Sequence, residues 1–102
     1  MDYKTDIEKY TSSVNAKAVD AIVKFCGIAL KSRDSSLVSV TDDAELQRIR
    51  KGFATKVLNL SDAECETAIK AVSQKMKTEK NKQRVTFYYL LAESSGTLDA
   101  LA

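Results

Sequence analysis

RVTFYYLLAES, residues 84–94, is nearly apolar at eight consecutive positions, from Val85 to Ala92. It contains no proline or glycine, and Gly96 follows it where a helix commonly places its C′ residue. A helix that is apolar around its whole circumference has to be covered by its neighbours. We therefore predict a fifth helix over about residues 82–94, at the centre of the protein.

A second stretch, residues 15–32, has a single narrow polar stripe. The stripe positions are spaced 3, 4, 3 and 4 residues apart: Lys17, Asp20, Lys24, Gly27 and Lys31. Most other positions are apolar and include Phe25 and Cys26. This pattern predicts a mostly buried second helix, capped by Asn15 and running to about Ser32.

Three further helices complete the pattern. The spacing of Tyr3, Ile7, Tyr10 and Val14 predicts a first helix from the cap Asp2 to about Ser13. A third helix opens at residues 41–45, where Asp42 and Glu45 have capping-box spacing, and ends at residues 58–60. Its apolar face is Leu46, Ile49, Phe53 and Val57.

The fourth helix begins with a full capping box, Ser61-Asp62-Ala63-Glu64. Its apolar face is Cys65, Ala68 or Ile69, Val72 and Met76. Residues 32–40 connect the second and third helices, and Leu37, Val38 and Val40 insert into the core there. A short strand in this connection would have no partner.

Composition agrees with a helical protein. The chain has 102 residues, three glycines and no proline, where average usage gives about seven glycines and about five prolines. The length suits one domain with one core. We predict an all-α single domain, residues 1–102, of about five helices with helices 2 and 5 central. Residues 97–102 either dock through Leu98 and Leu101 or fray.

The absence of histidine excludes His-based acid–base catalysis, Ser/His or Cys/His nucleophiles, and most zinc and di-iron sites. Acidic clusters at residues 42–45 and 62–66 lie in the first turns of predicted helices, where capping and the helix dipole explain them. Cys26 fits a buried thiol. Cys65 is the better candidate for reactivity, but core packing is favoured there because Glu64 and Glu66 would raise its pKa. We predict no catalytic, cofactor-binding or metal-binding residue, and no enzyme.

The strongest local charge is a basic run with Glu79 as its only acid. It consists of Lys75, Lys77, Lys80, Lys82 and Arg84. Such a run can contact phosphates, although a solvated corner of the fold is the simpler interpretation. A helix-turn-helix over residues 45–77 would present Asp62, Glu64 and Glu66 to DNA phosphates, which argues against the standard binding mode.

A candidate interaction surface combines this run with two other features. Arg33 and Ser35, in a polar loop, either hold an anion or form a tight turn. Within the aromatic helix, Tyr88 and Tyr89 fit the core, but we expect one ring to reach the surface because a buried tyrosine hydroxyl needs a partner. The candidate residues are Arg33, Ser35, Lys80, Lys82, Arg84, Tyr88 and Tyr89. The sequence leaves open whether they form one cleft.

Localisation signals point to the cytoplasm. No stretch is long and apolar enough to span a bilayer, and the first twenty residues carry seven charges, so no secretory leader is expected. The two cysteines, Cys26 and Cys65, have no metal or redox spacing and fit a reducing compartment.

Two blocks, GIALKSRDSSLV at residues 27–38 and RVTFYYLLAE at residues 84–93, resemble a small bacterial family of unknown function. Residues 53–60 resemble a third block of that family, whose members have about this length. The ending at residues 94–97 departs from the family's more basic, aromatic one. The resemblance implies an all-helical cytosolic bacterial protein and supplies no activity, ligand or catalytic residue.

With no reactive set to name, the sequence predicts a small non-catalytic interaction module. Its partner would be an unknown protein or a second copy of the chain. The alternative is weak nucleic-acid or anion binding through residues 75–84.

Overall fold

The computed structural model describes residues 3–31, 36–79, 82–98 and 101. Its five α-helices are α1 (Tyr3–Ile7), α2 (Ala16–Cys26), α3 (Asp43–Ile49), α4 (Asp62–Lys75) and α5 (Arg84–Ser94). A 3₁₀ segment, Gly27–Lys31, extends α2, and a π-helix, Arg50–Val57, extends α3. The all-α prediction is confirmed.

Helix α5 is the centre of the fold. It packs against α1, α2 and α4, and every residue from Val85 to Ala92 is buried. Each large apolar side chain removed from water contributes about 1.5–3 kcal/mol, which makes this helix the main source of hydrophobic stabilisation. Its end has a Schellman motif, because Thr97 N–H donates to Ala92 O at 2.8 Å and Gly96 N–H donates to Glu93 O at 3.1 Å. Gly96 takes the required positive φ of 72°.

Helix α2 is amphipathic rather than mostly buried as predicted, because only Ala18, Val19, Ile22 and Cys26 are buried, and its α-helical part is also shorter. The Asn15 side chain accepts a hydrogen bond from Ala18 N–H at 3.1 Å and so caps it. The polar stripe is exposed. The α-helix ends at Cys26 because Gly27 adopts φ 45°, a conformation that side chains with a Cβ rarely accept. Phe25 remains 48% exposed, which corrects the expectation that it lies inside.

Helix α1 is also shorter than predicted, and the turns that follow it end at Tyr10. Its proposed cap, Asp2, lies outside the described residues. Residues 13–15 leave the helical path because they bind a distant side chain. The Tyr89 hydroxyl accepts from Asn15 N–H at 2.8 Å and donates to Ser13 O at 3.4 Å. Asp6 is buried and accepts a hydrogen bond from the Thr86 hydroxyl of α5.

Helix α3 begins at the predicted cap, since the Asp42 carboxylate accepts from Ala44 N–H at 3.0 Å. The π-helix beyond it was not predicted. Leu58 N–H donates to Phe53 O, five residues back, at 3.1 Å, and the Thr55 hydroxyl donates to Arg50 O at 2.6 Å. Asn59 then turns the chain with φ 56°.

The segment before α3 does have a partner, which corrects the prediction. Leu37 forms an isolated antiparallel bridge with Gln83. Val38 N–H donates to Lys82 O at 2.8 Å, and Arg84 N–H donates to Ser36 O at 2.7 Å. This pairing fixes the segment against the start of α5, with the Val38 side chain buried.

Helix α4 has the predicted capping box. Glu64 N–H donates to the Ser61 hydroxyl at 3.2 Å, and Ser61 N–H donates to the Glu64 carboxylate at 3.0 Å. The Ser61 backbone N–H, which donates to the Glu64 carboxylate, is the largest cause of the lowered pKa of Glu64, and the Ser61 side chain adds to this effect. Cys65, Ala68, Val72 and Met76 are buried on its inner face, as predicted.

Ser61→Ala should therefore destabilise the protein by about 1 kcal/mol, the usual cost of losing an N-cap hydroxyl. Ser61→Asp keeps an oxygen that can accept from Glu64 N–H, so it should remain close to wild type. Urea unfolding followed by far-UV circular dichroism measures both variants. Equal stability of Ser61→Ala and wild type would contradict the assigned role of the cap.

The chain's last residues dock rather than fray where they are described. Leu98 and Leu101 pack, partly buried, against the core. Within the described ranges, no helix combines the length and hydropathy needed to cross a bilayer.

Candidate functional site

Arg84, in the first turn of α5, joins three segments of the chain. Its guanidinium donates to the Glu45 carboxylate of α3, to Leu37 O at 3.2 Å, and to the Tyr88 hydroxyl at 2.9 Å. The side chains of Arg84 and Glu45 are only 12% and 9% exposed. This is a buried ion pair that locks α3 and the segment before it onto the central helix.

Two partners of Arg84 stabilise its charged form against the effect of burial. Burial alone would lower the pKa of the guanidinium, but Tyr88 and Glu45 more than offset it and raise that pKa. The second oxygen of Glu45 lies 3.1 Å from the guanidinium of Arg48 on the surface. Glu45 therefore does not close a capping box on α3, and the box suggested by its spacing is a wrong prediction.

An aromatic cluster, Phe25, Phe53 and Tyr88, lies beside this ion pair. The Phe53 and Tyr88 rings stack with centroids 4.3 Å apart and planes 16° apart. Phe25 tilts over both, with its centroid 5.3 Å from that of Phe53 and 6.3 Å from that of Tyr88. Phe53 and Tyr88 are buried, whereas about half of Phe25 faces solvent. The cluster thus gives one exposed ring a rigid aromatic base.

Cys26, next to Phe25 in the chain, is the buried thiol that its position predicts. Burial raises its pKa to about 11, although Arg84 acts in the opposite direction. Burial also raises the pKa of Tyr88, against the lowering effect of Arg84. Neither group ionises near neutral pH, so neither Cys26 nor Tyr88 is an activated nucleophile there.

Both thiols should consequently resist Ellman's reagent in the native protein. At pH 8 only about one Cys26 in a thousand would be a thiolate, since its pKa is near 11. Cys65 is fully buried. We expect reaction at least a hundredfold slower than in urea-unfolded protein, measured by absorbance. Fast labelling of one thiol in the folded chain would contradict the assigned burial.

The predicted interaction surface is only partly within reach of the structure. Arg33, Ser35 and Lys80 lie outside the described residues, so a common cleft with them is not tested. Lys82 is half-buried and donates to Glu79 O at 2.7 Å. Arg84 is in the buried ion pair. Neither ring of the tyrosine pair reaches the surface, which corrects that expectation.

The reason is that both tyrosine hydroxyls find partners inside the protein. Tyr88 accepts from Arg84, and Tyr89 bonds to residues 13 and 15. Their polar tips are therefore satisfied without solvent, which is the condition for burying a tyrosine.

Elsewhere, predicted charges are used within the fold. In the basic run, the Lys75 ammonium lies 3.5 Å from the Glu93 carboxylate. Among the acids, Asp42 and Glu64 cap helices, and Glu66 lies 3.5 Å from Arg50. Across the described ranges, no three Cys, Asp or Glu residues gather in a way that could hold a metal ion.

A family model described as a protein of unknown function, DUF2853, matches residues 2–99. The chain belongs to the DUF2853 family. This match confirms that the sequence blocks resemble a family of unknown function. No curated protein matches the chain.

Sequence reasoning about this DUF2853 protein missed the Arg84–Glu45 pair and the exposure of Phe25. The two charges are 39 residues apart, and no local pattern links them. One signal for Phe25 was available, because it follows Lys24 of the exposed stripe. Adjacent helical residues point about 100° apart, which places Phe25 at the edge of the buried face.

Proposed function

We propose that the protein is a non-catalytic interaction module that binds an acidic protein segment through Phe25. The observation that carries this proposal is the exposed half of the Phe25 ring, which rests on Phe53 and Tyr88. Among the residues whose side chains the structure describes, Phe25 is the one large hydrophobic side chain that is exposed.

The packing beneath Phe25 suits a binding anchor. Aromatic residues dominate the energetics of protein interfaces because they bury a large area with few rotatable bonds. The Phe53 and Tyr88 rings already restrict the Phe25 side chain, so binding a partner would cost little further conformational entropy of Phe25. An apolar side chain of the partner would cover the remaining exposed face.

The charge on the elements that carry Phe25 and Phe53 indicates the character of the partner. The elements that carry Phe25 and Phe53 are α2 with its 3₁₀ extension, and the π-helix. Their exposed charged residues are five lysines and one acid: Lys17, Lys24, Lys31, Lys51, Lys56 and Asp20. Such an excess attracts acidic segments and speeds their association.

The absence of catalysis is part of the same proposal. It is supported by the way the interior polar groups are used. Arg84 and Glu45 bind each other, Asp6 accepts from Thr86, and Cys26 has a strongly raised pKa. These groups are already engaged in stabilising the fold rather than left available to a substrate.

The alternative, nucleic-acid or anion binding through residues 75–84, has less support. Three of its five cations, Lys75, Lys82 and Arg84, already contact groups of the protein. Proteins that bind single strands stack several bases on several aromatic side chains. In the described ranges, Phe25 is the single large exposed aromatic ring.

We also propose a bacterial cytoplasmic setting, which the family resemblance and the two free, buried thiols support. Fractionation of native cells, followed by immunoblotting, tests it. Recovery from the soluble cytoplasmic fraction is expected, and recovery from the periplasm would contradict the proposal.

The partner class can be tested by selection from a random peptide library displayed on phage. We expect enriched peptides to carry a leucine or aromatic residue flanked by Asp and Glu. Selection on the Phe25→Ala variant should not enrich them. Gln74→Ala, at an exposed position of α4, is the matched control and should select as wild type does.

Two further measurements test the alternative partners of the Phe25 surface, a nucleic acid and a second copy of the chain. A fluorescent single-stranded DNA or RNA 15-mer at low salt should bind more weakly than the selected peptides, and sedimentation should show a monomer. Tighter oligonucleotide binding that depends on Phe25, or dimerisation abolished by Phe25→Ala, would overturn the acidic protein partner.

A further inference from the structure

A groove separate from Phe25 runs between α3 and α4 and reaches the first residue of the π-helix. Its volume is about 600 Å³, within the range of sites that hold small molecules. Leu46 of α3 and Ile69 of α4 are its apolar lining residues, and both are half-buried. The groove therefore has apolar surface on both helices for an aliphatic chain.

Arg50 lines one end of the groove with an incompletely paired guanidinium. Its Nε is buried and has no hydrogen-bond partner among the described residues. Its Nη2 lies 3.5 Å from a Glu66 carboxylate oxygen, and the side chain of Glu66 is 75% exposed. A buried donor without a partner is costly, and the contact that Glu66 makes is with Nη2, so it leaves Nε unsatisfied.

A bound carboxylate would complete this end. The Nε and Nη2 atoms form the edge of the guanidinium that pairs with a carboxylate through two parallel hydrogen bonds. To reach that edge, the ligand would displace the exposed Glu66 side chain. Lys70 also lines the groove. It lies one turn after Glu66 in α4 and adds a second positive charge.

The other end of the groove differs in chemistry. Asp43 lines it with Ser73 and is seven residues before Arg50, which corresponds to about 10 Å along a helix. Negative charge there keeps a carboxylate away from that end and leaves the orientation with the anion at Arg50. Apart from Glu66, a lining residue that the ligand would displace, the lining thus changes from cationic, through apolar, to polar and acidic.

We propose that this groove binds an aliphatic carboxylate, with the carboxylate on Arg50 and the chain over Leu46 and Ile69. The inference is independent of the function proposed for Phe25. The chain would displace water from apolar surface, and the two-pronged contact with Arg50 would select an anion over neutral and cationic analogues of the same length.

Titration of isotope-labelled protein with octanoate, followed by NMR, tests the site. We expect saturable shifts at Leu46, Ile69 and Arg50. Octan-1-ol and octylammonium should bind at least tenfold more weakly than octanoate. This comparison uses the wild-type protein alone, so it does not depend on any variant folding.

Variants then assign the site to Arg50. Arg50→Gln should weaken octanoate binding at least tenfold, whereas Arg48→Gln, which changes an exposed arginine near the end of α3, should change it less than twofold. Phe25→Ala should leave it unchanged, which separates this site from the proposed peptide surface. Equal affinity for octylammonium, an unaffected Arg50→Gln variant, or shifts centred elsewhere would each overturn the proposal.

Discussion

Glu45→Ala should lower the free energy of unfolding by about 3–5 kcal/mol, the usual cost of removing one partner of a buried ion pair. The Arg84 side chain is only 12% exposed, so it has limited access to water that could replace the lost carboxylate. Two of its other partners, Leu37 O and the Tyr88 hydroxyl, carry no negative charge at neutral pH. The loss is measurable as a shift of the urea midpoint with an unchanged slope.

The matched control is Arg48→Ala, which removes the exposed partner of the same carboxylate. Surface ion pairs contribute little, so this variant should lose less than about 1 kcal/mol. The double variant Glu45→Met, Arg84→Met should recover part of the loss, because it removes both charges of the pair together. Equal effects of Glu45→Ala and Arg48→Ala would show that the pair with Arg84 does not hold the fold together.

Phe53→Ala should also cost about 3–5 kcal/mol, as is usual when a buried aromatic side chain is truncated. Phe53 is 1% exposed and stacks on Tyr88, so its removal leaves a cavity under the aromatic cluster. Phe25→Ala removes the same atoms from a half-exposed position and should cost about 1 kcal/mol, since part of that area is already in water.

The difference between these two phenylalanines separates a structural role from a binding role. Thermal or urea unfolding of both variants measures it directly. If Phe25→Ala destabilised the protein as much as Phe53→Ala, Phe25 would be a core residue and its exposure would carry no functional argument.

Local signals predicted the helices because they depend on neighbours in the sequence. Ser61 and Glu64 form their capping box as predicted, and Asn15 and Asp42 cap helices at the predicted positions. The apolar run of α5 predicted its central place for the same reason. A helix with no polar face has to be buried on all sides.

The same signals failed where a distant residue competes. Asp42 and Glu45 have the spacing of a capping box, yet Glu45 binds Arg84, 39 residues away. The tyrosine pair is buried because hydroxyl partners come from Arg84 and from residues 13–15. Periodicity describes which face a residue occupies and does not describe what covers it, as Phe25 shows.

The π-helix illustrates a different gap. Ile49, Phe53 and Val57 are spaced four residues apart twice in succession, a pattern that an α-helix accommodates with a drift of about 40° at each step. The spacing alone predicts an ordinary helix, since π-helices are rare. The spacing correctly predicted that Phe53 lies on the buried face. It does not predict the hydrogen-bond register of the π-helix, which positions Arg50 at the groove.

The central claim, that Phe25 is the anchor of a protein-binding surface, is tested most directly by one titration. The affinity of a selected acidic peptide is measured calorimetrically for wild type, Phe25→Ala and Gln74→Ala. The account predicts at least a tenfold loss for Phe25→Ala, with both variants folded and Gln74→Ala within twofold of wild type. Unchanged affinity of folded Phe25→Ala would contradict it.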